Sequence, residues 1–237
     1  MKIKKKETTN KIKTSSILLV LASGCMWGCM GLVVRPLNET GLVTMDICFL
    51  RSVITFAVML VGLLIFDRSA LKIKLKDIWC FIGTGALSVS FFNFCYFKTI
   101  TLTSLSVAAV LLYTAPAFVM IMSSFLFKEE MTKKKVVALV IAFMGCVLVS
   151  GVAGGGGTLN AKGLLVGLGA GFGYALYSIF GRYALQRGYN SMTITFYTFV
   201  FATLATVFMA DVSSIINIVE TRPGLSVYAA FMILVEL

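Results

Sequence analysis

Apolar residues fall in long blocks separated by short polar stretches, without the strict alternation that marks half-buried strands. The longest block lies between Lys98 and Lys128, twenty-nine residues without a charge, whereas a helix needs only roughly 20 to cross a bilayer. This predicts a transmembrane helix over LSVAAVLLYTAPAFVMIMSSFLF. Similar blocks predict spans at Ser15–Val34, Thr44–Phe66, Asp77–Phe97, Val136–Val152, Gly163–Phe180 and Met192–Ala210, and an eighth run opens at Leu225. The fold class expected is all-α and integral to the membrane: a transmembrane helix bundle with seven full spans and a partial eighth.

The polar connections then give a topology. Sixteen of the twenty-one lysines and arginines fall in alternate connections: residues 1–13, Arg68–Lys76, Lys128–Lys135, and Arg182 with Arg187. The other connections hold Arg35, Lys98, Lys162 and Arg222, and Arg51 lies inside a span. By the positive-inside rule the N-terminus is cytoplasmic and the chain is a multi-pass protein of the cell membrane. The lysine-rich start is like that of a secretory signal, but the apolar part is too long and no cleavage site leads into a polar mature chain.

Composition narrows the chemistry. Hydrophobic residues make up 59% and charged residues 13%, against about 25% charged in soluble proteins. There is no histidine, which removes the commonest general base and most metal sites; no enzyme, cofactor or metal is expected. The six cysteines lie in apolar runs without zinc-type pairing and read as small packing residues. The net charge of +11 is explained by topology, so nucleic acid is not an expected partner. The expected partners are the lipid bilayer and a small-molecule substrate, with a second copy or a complementing subunit as a further one.

Inside the spans, a few polar groups stand out. Pro116 deprives the Leu112 carbonyl of its usual donor and bends its helix, so Tyr113, Thr114 and Pro116 are expected to face the bundle interior. Arg51 costs roughly 3 kcal/mol at bilayer depth unless paired. It is either a substrate anchor or one half of an ion pair with Asp46, Glu39 or a backbone carbonyl, and Asp46 reads as a residue at the water boundary. Asn93 needs a hydrogen-bonding partner in another helix or a polar cavity. Trp27 stands beside Gly24 and Gly28 in the first span, Tyr96 shares the third span with Asn93, and Tyr174 and Tyr177 are the polar aromatics of the sixth. Gly24 and Gly28, and again Gly163, Gly167 and Gly171, are four apart and predict faces where another helix approaches closely.

An internal offset of 147 residues pairs Gly24, Trp27 and Arg35 with Gly171, Tyr174 and Arg182, and also Met45 with Met192 and Phe49 with Phe196. The organisation expected is a basic N-terminus (1–13), a first repeat of five spans (14–152), a glycine-rich linker (153–162) and an incomplete second repeat (163–237). An odd number of spans before the linker makes the second repeat enter from the opposite side. At this offset residue 237 matches residue 90, so counterparts of residues 91–150 are not present in this sequence. Glu236 would then fall near the bilayer centre.

The run YFKTITLTSLSVAAVLLYTAPAFVMIMSSFLFKEEMT, residues 96–132, resembles the EamA-like family of the drug/metabolite transporter superfamily. Trp27-Gly28 in the first span and FLRS, with Arg51, in the second are similar to the family's pattern. The resemblance implies a ten-helix inverted-repeat carrier with a central cavity, exporting or exchanging small metabolites such as amino acids. It implies that Trp27, Arg51, Asn93, Tyr96, Tyr113, Tyr174 and Tyr177 line that cavity, with Pro116 as a kink. The alternative is a non-transporting fragment or subunit that needs a partner to complete the bundle.

Overall fold

The structure, a computed structural model, describes residues 42–149 and 160–221 and the isolated positions 18, 21, 22 and 25. Among these residues it is entirely helical. Helix α1 (Thr44–Phe66) leads through two short 3-10 turns, Arg68–Leu71 and Leu75–Asp77, into a continuous rod. The rod comprises α2 (Ile78–Ile82), a π-helical stretch (Gly83–Ser90) and α3 (Phe91–Leu102). Helices α4 (Leu105–Leu112) and α5 (Ala115–Phe127) form one bent span. Helices α6 (Lys133–Val149), α7 (Ala161–Gln186), α8 (Ser191–Thr206) and α9 (Val212–Thr221) follow.

Four of these stretches are long and apolar enough to cross a membrane: Met45–Phe66, Leu75–Leu102, Leu105–Phe127 and Ala161–Gln186. The third and sixth spans run longer than the hydrophobic pattern predicts, because polar residues such as Lys98 and Arg182 continue the helix past the apolar block. The seventh is shorter, ending at Thr206 rather than Ala210, where a turn leaves Phe208 90% exposed. The first span apart from positions 18, 21, 22 and 25, residues 150–159 including most of the linker, and the run from Leu225 lie outside the described residues.

Packing follows a sequence of layers. Helix α1 lies on α8, α8 on the π stretch of the rod, the rod on α7, and α7 on α4 and α5. Apolar side chains gain little by leaving lipid for one another, so close approach and hydrogen bonds must hold such layers. Glycines supply the approach. A Cβ on Gly85 would stand 2.5 Å from the Thr198 carbonyl oxygen and 2.6 Å from Phe201 Cβ. One on Gly173 would stand 2.9 Å from the Phe91 ring. The predicted seam is present too: Gly163 faces Leu102 and Thr103, Gly167 faces Leu111 and Thr99, and Gly171 faces Thr114 and the Leu111 carbonyl.

Hydroxyls supply the bonds. Ser88 Oγ donates to Gly173 O at 2.8 Å, joining the rod to α7. Thr198 donates to Thr84 at 2.8 Å, which in turn donates to Phe81 O at 3.0 Å, joining α8 to the rod. Ser52, Thr99 and Thr206 satisfy themselves on the carbonyl four residues back, as isolated hydroxyls in an apolar setting must. Cys48, Cys80 and Cys95 are buried, as packing residues should be, whereas Cys146 is half-buried and Cys25 is exposed.

The connections gather at two ends. At one, Arg187 pairs with Asp77 and Arg182 with Glu129, so the segments 68–76, 128–135 and 182–187 share an end. At the other, Asp46 accepts the Val43 N–H at 3.0 Å and the Asp211 N–H at 2.9 Å, tying the start of α1 to that of α9. Asp46 lies at this end, near the start of its helix, yet is 3% exposed, since backbone donors from two elements enclose its carboxylate. Asp211 accepts from Ser213 Oγ and from Ser214 Oγ and N, and these bonds lower its pKa to about 2.

Candidate functional site

The bend begins at Tyr113. Helix α4 stops at Leu112, and α5 restarts at Ala115 with Pro116 in its first turn, where the missing N–H takes no bond from α5 but withholds the i+4 donor from the Leu112 carbonyl. Thr114 bridges the break: its N–H and its Oγ1 donate to Leu111 O at 3.1 and 2.6 Å. At this corner Thr114 packs on Gly171, whereas Tyr113 and Pro116 do not. Tyr113 is 54% exposed and Pro116 is exposed, because turning Thr114 onto α7 rotates both away from it.

Tyr113 and Pro116 instead line a cleft of about 620 Å³ between α5, α6 and α7. Its walls carry Val119, Met120, Phe143 and Cys146, with hydroxyls from Tyr113, Ser123, Tyr174 and Ser178. Pro116, Met120 and Ser123 recur at helical spacing on α5, as do Tyr174 and Ser178 on α7, so each helix gives the cleft one face. The volume is that of a small-molecule site, mostly apolar with a few placed polar groups.

Glu129 and Lys135 stand at the basic end of the cleft. Lys128 ends α5 in the left-handed conformation, at φ 53°, and this turns Glu129 back toward α7. There Glu129 accepts a hydrogen bond from Arg182, while Lys135 Nζ lies 3.8 Å away. The Arg182 guanidinium also covers the Phe127 ring at 4.1 Å. Its hydrogen bond and charge hold the Glu129 carboxyl below the usual carboxylate range.

The sequence-selected residues divide. Tyr113, Tyr174 and Pro116 meet at the cleft. Tyr96 reaches it indirectly: Phe92 stacks on Tyr96 with ring centroids 5.6 Å apart and, edge-on at 5.6 Å, on Tyr174. Tyr177 is half-buried one turn after Tyr174 on α7, outside the lining. Asn93 is buried on α3 and Arg51 is half-buried on α1, and neither lines this cleft, since α1 packs two layers away beyond α8. Trp27 lies outside the described residues. Sequence reading passed over Ser123, Ser178 and the Glu129–Arg182 pair. The serines share helical faces with Pro116 and Tyr174 and were legible from that spacing, whereas the ion pair joins positions 53 apart and left no local signal.

Long apolar helices held by glycine seams around a cleft with a charged mouth define a polytopic membrane protein of the transporter kind. The sequence profile of the EamA-like transporter family matches residues 14–151, and the chain belongs to that family. It is 32% identical over 124 residues, 52% of this chain and 43% of the relative, to an uncharacterized transporter of Archaeoglobus fulgidus. It is 23% identical over 180 residues, 73% of this chain and 56% of the relative, to the uncharacterized transporter YxxF of Bacillus subtilis. The chain thus spans about half the length of the curated relatives it matches. A protein of known crystal structure, 18% identical, shares the fold with a TM-score of 0.62 over 94% of this chain and 79% of the other.

Proposed function

We propose that this chain belongs to a secondary carrier that moves small polar metabolites, such as amino acids, across the cell membrane by alternating access. The observation that carries the reading is the cleft beside the Pro116 bend, which presents four hydroxyls in an apolar wall and a charged pair at one mouth. Tyr113, Tyr174, Ser123 and Ser178 orient the substrate, with Tyr96 behind them through Phe92, and Tyr177, Asn93, Arg51 and Trp27 are kept as further candidates for contact with it. The basic end faces the cytoplasm and the N-terminus lies on that side. Residues 14–152 and 163–237 are inverted repeats joined at 153–162, and they rock about the cleft.

In this reading the Glu129–Arg182 pair fastens the first repeat to the second at the cytoplasmic end. Rocking must break that contact, and a solvated pair breaks at small cost. The test is counterflow in proteoliposomes loaded with an unlabelled amino-acid mixture, with labelled amino acids outside. Saturable exchange, reduced at least tenfold in Tyr174→Ala at unchanged protein level, is the expected result; flux that never saturates means a pore. Arg51→Ala or Asn93→Ala with undiminished exchange removes that residue from the path. If no exchange occurs and native mass measurement finds the chain bound to another subunit, the reading as a component completed by a partner replaces this one.

A further inference from the structure

A second cleft, of about 400 Å³, opens at the basic end between the connection after α1 and the turn from α7 to α8. Between the two 3-10 turns the backbone of Lys72–Lys74 is extended, with Lys72 at φ −90°, ψ 116° and Lys74 at φ −88°, ψ 131°. Alternate side chains therefore take opposite sides. Leu71 and Ile73 pack inward on the two apolar clusters at this end, and Lys72 and Lys74 are left exposed on the cleft wall.

The backbone beneath the lysines is fixed. Thr193 Oγ1 donates to Ala70 O at 2.9 Å, and Tyr197 OH donates to Leu71 O at 2.7 Å. The Lys74 N–H donates to Tyr189 OH at 3.0 Å, and that hydroxyl donates to Asp77 Oδ2 at 2.8 Å. Across the cleft, Arg187 Nε is 2.9 Å from Asp77 Oδ1, and its guanidinium lies over the Trp79 ring at 4.9 Å. Asp77 is thus occupied by Arg187 and Tyr189. Among the described residues no carboxylate pairs with Lys72 or Lys74.

The cleft sits where the spans Met45–Phe66 and Ala161–Gln186 end, the depth of lipid headgroups. Close to its lining segments in sequence, Phe66, Leu75 and Met192 are 87%, 83% and 60% exposed. We infer that this cleft seats the phosphate of an anionic phospholipid, with Lys72 and Lys74 as its cationic arms and the exposed apolar side chains against the first acyl carbons. A soluble phosphate would meet the same lysines, but only a lipid also uses the apolar rim.

Native mass spectrometry of the full chain, released from detergent with added phosphatidylglycerol or phosphatidylcholine, tests this. The wild type retains phosphatidylglycerol in preference. Two lysines at roughly 1 kcal/mol each make Lys72→Gln/Lys74→Gln about 30-fold weaker, while Lys133→Gln/Lys134→Gln in the other basic connection keeps the preference. Millimolar inorganic phosphate leaves the bound lipid in place. Undiminished retention in the Lys72/Lys74 variant, or an equal loss in the Lys133/Lys134 variant, overturns the site. Displacement by inorganic phosphate assigns the cleft to a soluble anion and overturns the lipid. Lys72→Arg/Lys74→Arg retains the lipid, which separates loss of charge from loss of fold.

Discussion

The two sides of α7 are built on opposite plans. Toward the rod it is closed: Gly173 lies against Phe91 and Phe92, and Ser88 donates into its backbone. Beyond the Gly171–Thr114 contact its other side opens, with Tyr174 and Ser178 facing a cleft that α5 and α6 enclose from afar. Both sides come from one 26-residue helix with the same apolar character. What separates them is side-chain size and bend: small residues let a neighbour in on one side, and the Pro116 corner carries a neighbour away on the other. A membrane bundle needs no polar core to make a cavity; it needs one seam that closes and one helix that turns.

The largest blow to this contrast is Gly85→Leu. The space beside Gly85 is filled by the Thr198 carbonyl and Phe201, both anchored in α8, so the rod must separate from α8. Overpacking of this kind costs about 1–3 kcal/mol or more, and the variant is expected to melt well below wild type in detergent or to fail to accumulate. Wild-type melting would show that the seam is loose. Pro116→Ala comes next: it restores the donor to the Leu112 carbonyl, straightens α4–α5 and narrows the cleft. Stability should rise while any exchange activity falls, and a parallel rise in both would detach the bend from function.

Much of this was legible before any coordinates. The recurrence of Gly163, Gly167 and Gly171 marks the face on which α7 meets the end of the rod and α4, and Pro116 marks where the facing span breaks; Gly173, which closes α7 on Phe91 and Phe92, lies off that face. The direction of the break was not legible. It depends on Thr114 reaching back to Leu111 and seating on Gly171, a contact between residues 57 apart whose side chains carry no periodic signal. Arg51 drew attention as a charge at bilayer depth, yet its helix packs on α8, away from the cleft. A costly residue marks a need for partners, and sequence alone does not say which helix supplies them. The burial of Asp46 was not legible for a related reason: its second donor, the Asp211 N–H, lies 165 positions along the chain.

Smaller effects sharpen the charged mouth. Arg182 lowers the pKa of Glu129, so this pair adds stability above the ordinary carboxylate pKa and loses it as pH falls through the lowered value. Melting temperature followed against pH should fall less in acid in Glu129→Gln than in wild type, with the dependence due to Asp211 left in both; an identical profile in the two would place the pH dependence elsewhere. Lys128→Gly relieves a left-handed residue that costs roughly 1 kcal/mol and keeps the turn. A gain of a degree or two in melting temperature is expected, and a loss would mean that the Lys128 side chain itself holds the turn.

The central claim is that water and substrate reach the space between α5, α6 and α7. The protein's own cysteines report on it without substitution: Cys146 lines the cleft, whereas Cys48, Cys80 and Cys95 are buried in helix contacts. A membrane-impermeant sulfonated maleimide reacts only with thiols that ionise in water. Applied to sealed vesicles of each orientation and read by peptide mass spectrometry, it is predicted to modify Cys146 from at least one side and to spare Cys48, Cys80 and Cys95. Cys146 as inert as Cys80 and Cys95 from both sides would show a cleft filled by lipid, and the account of a substrate path there would be wrong.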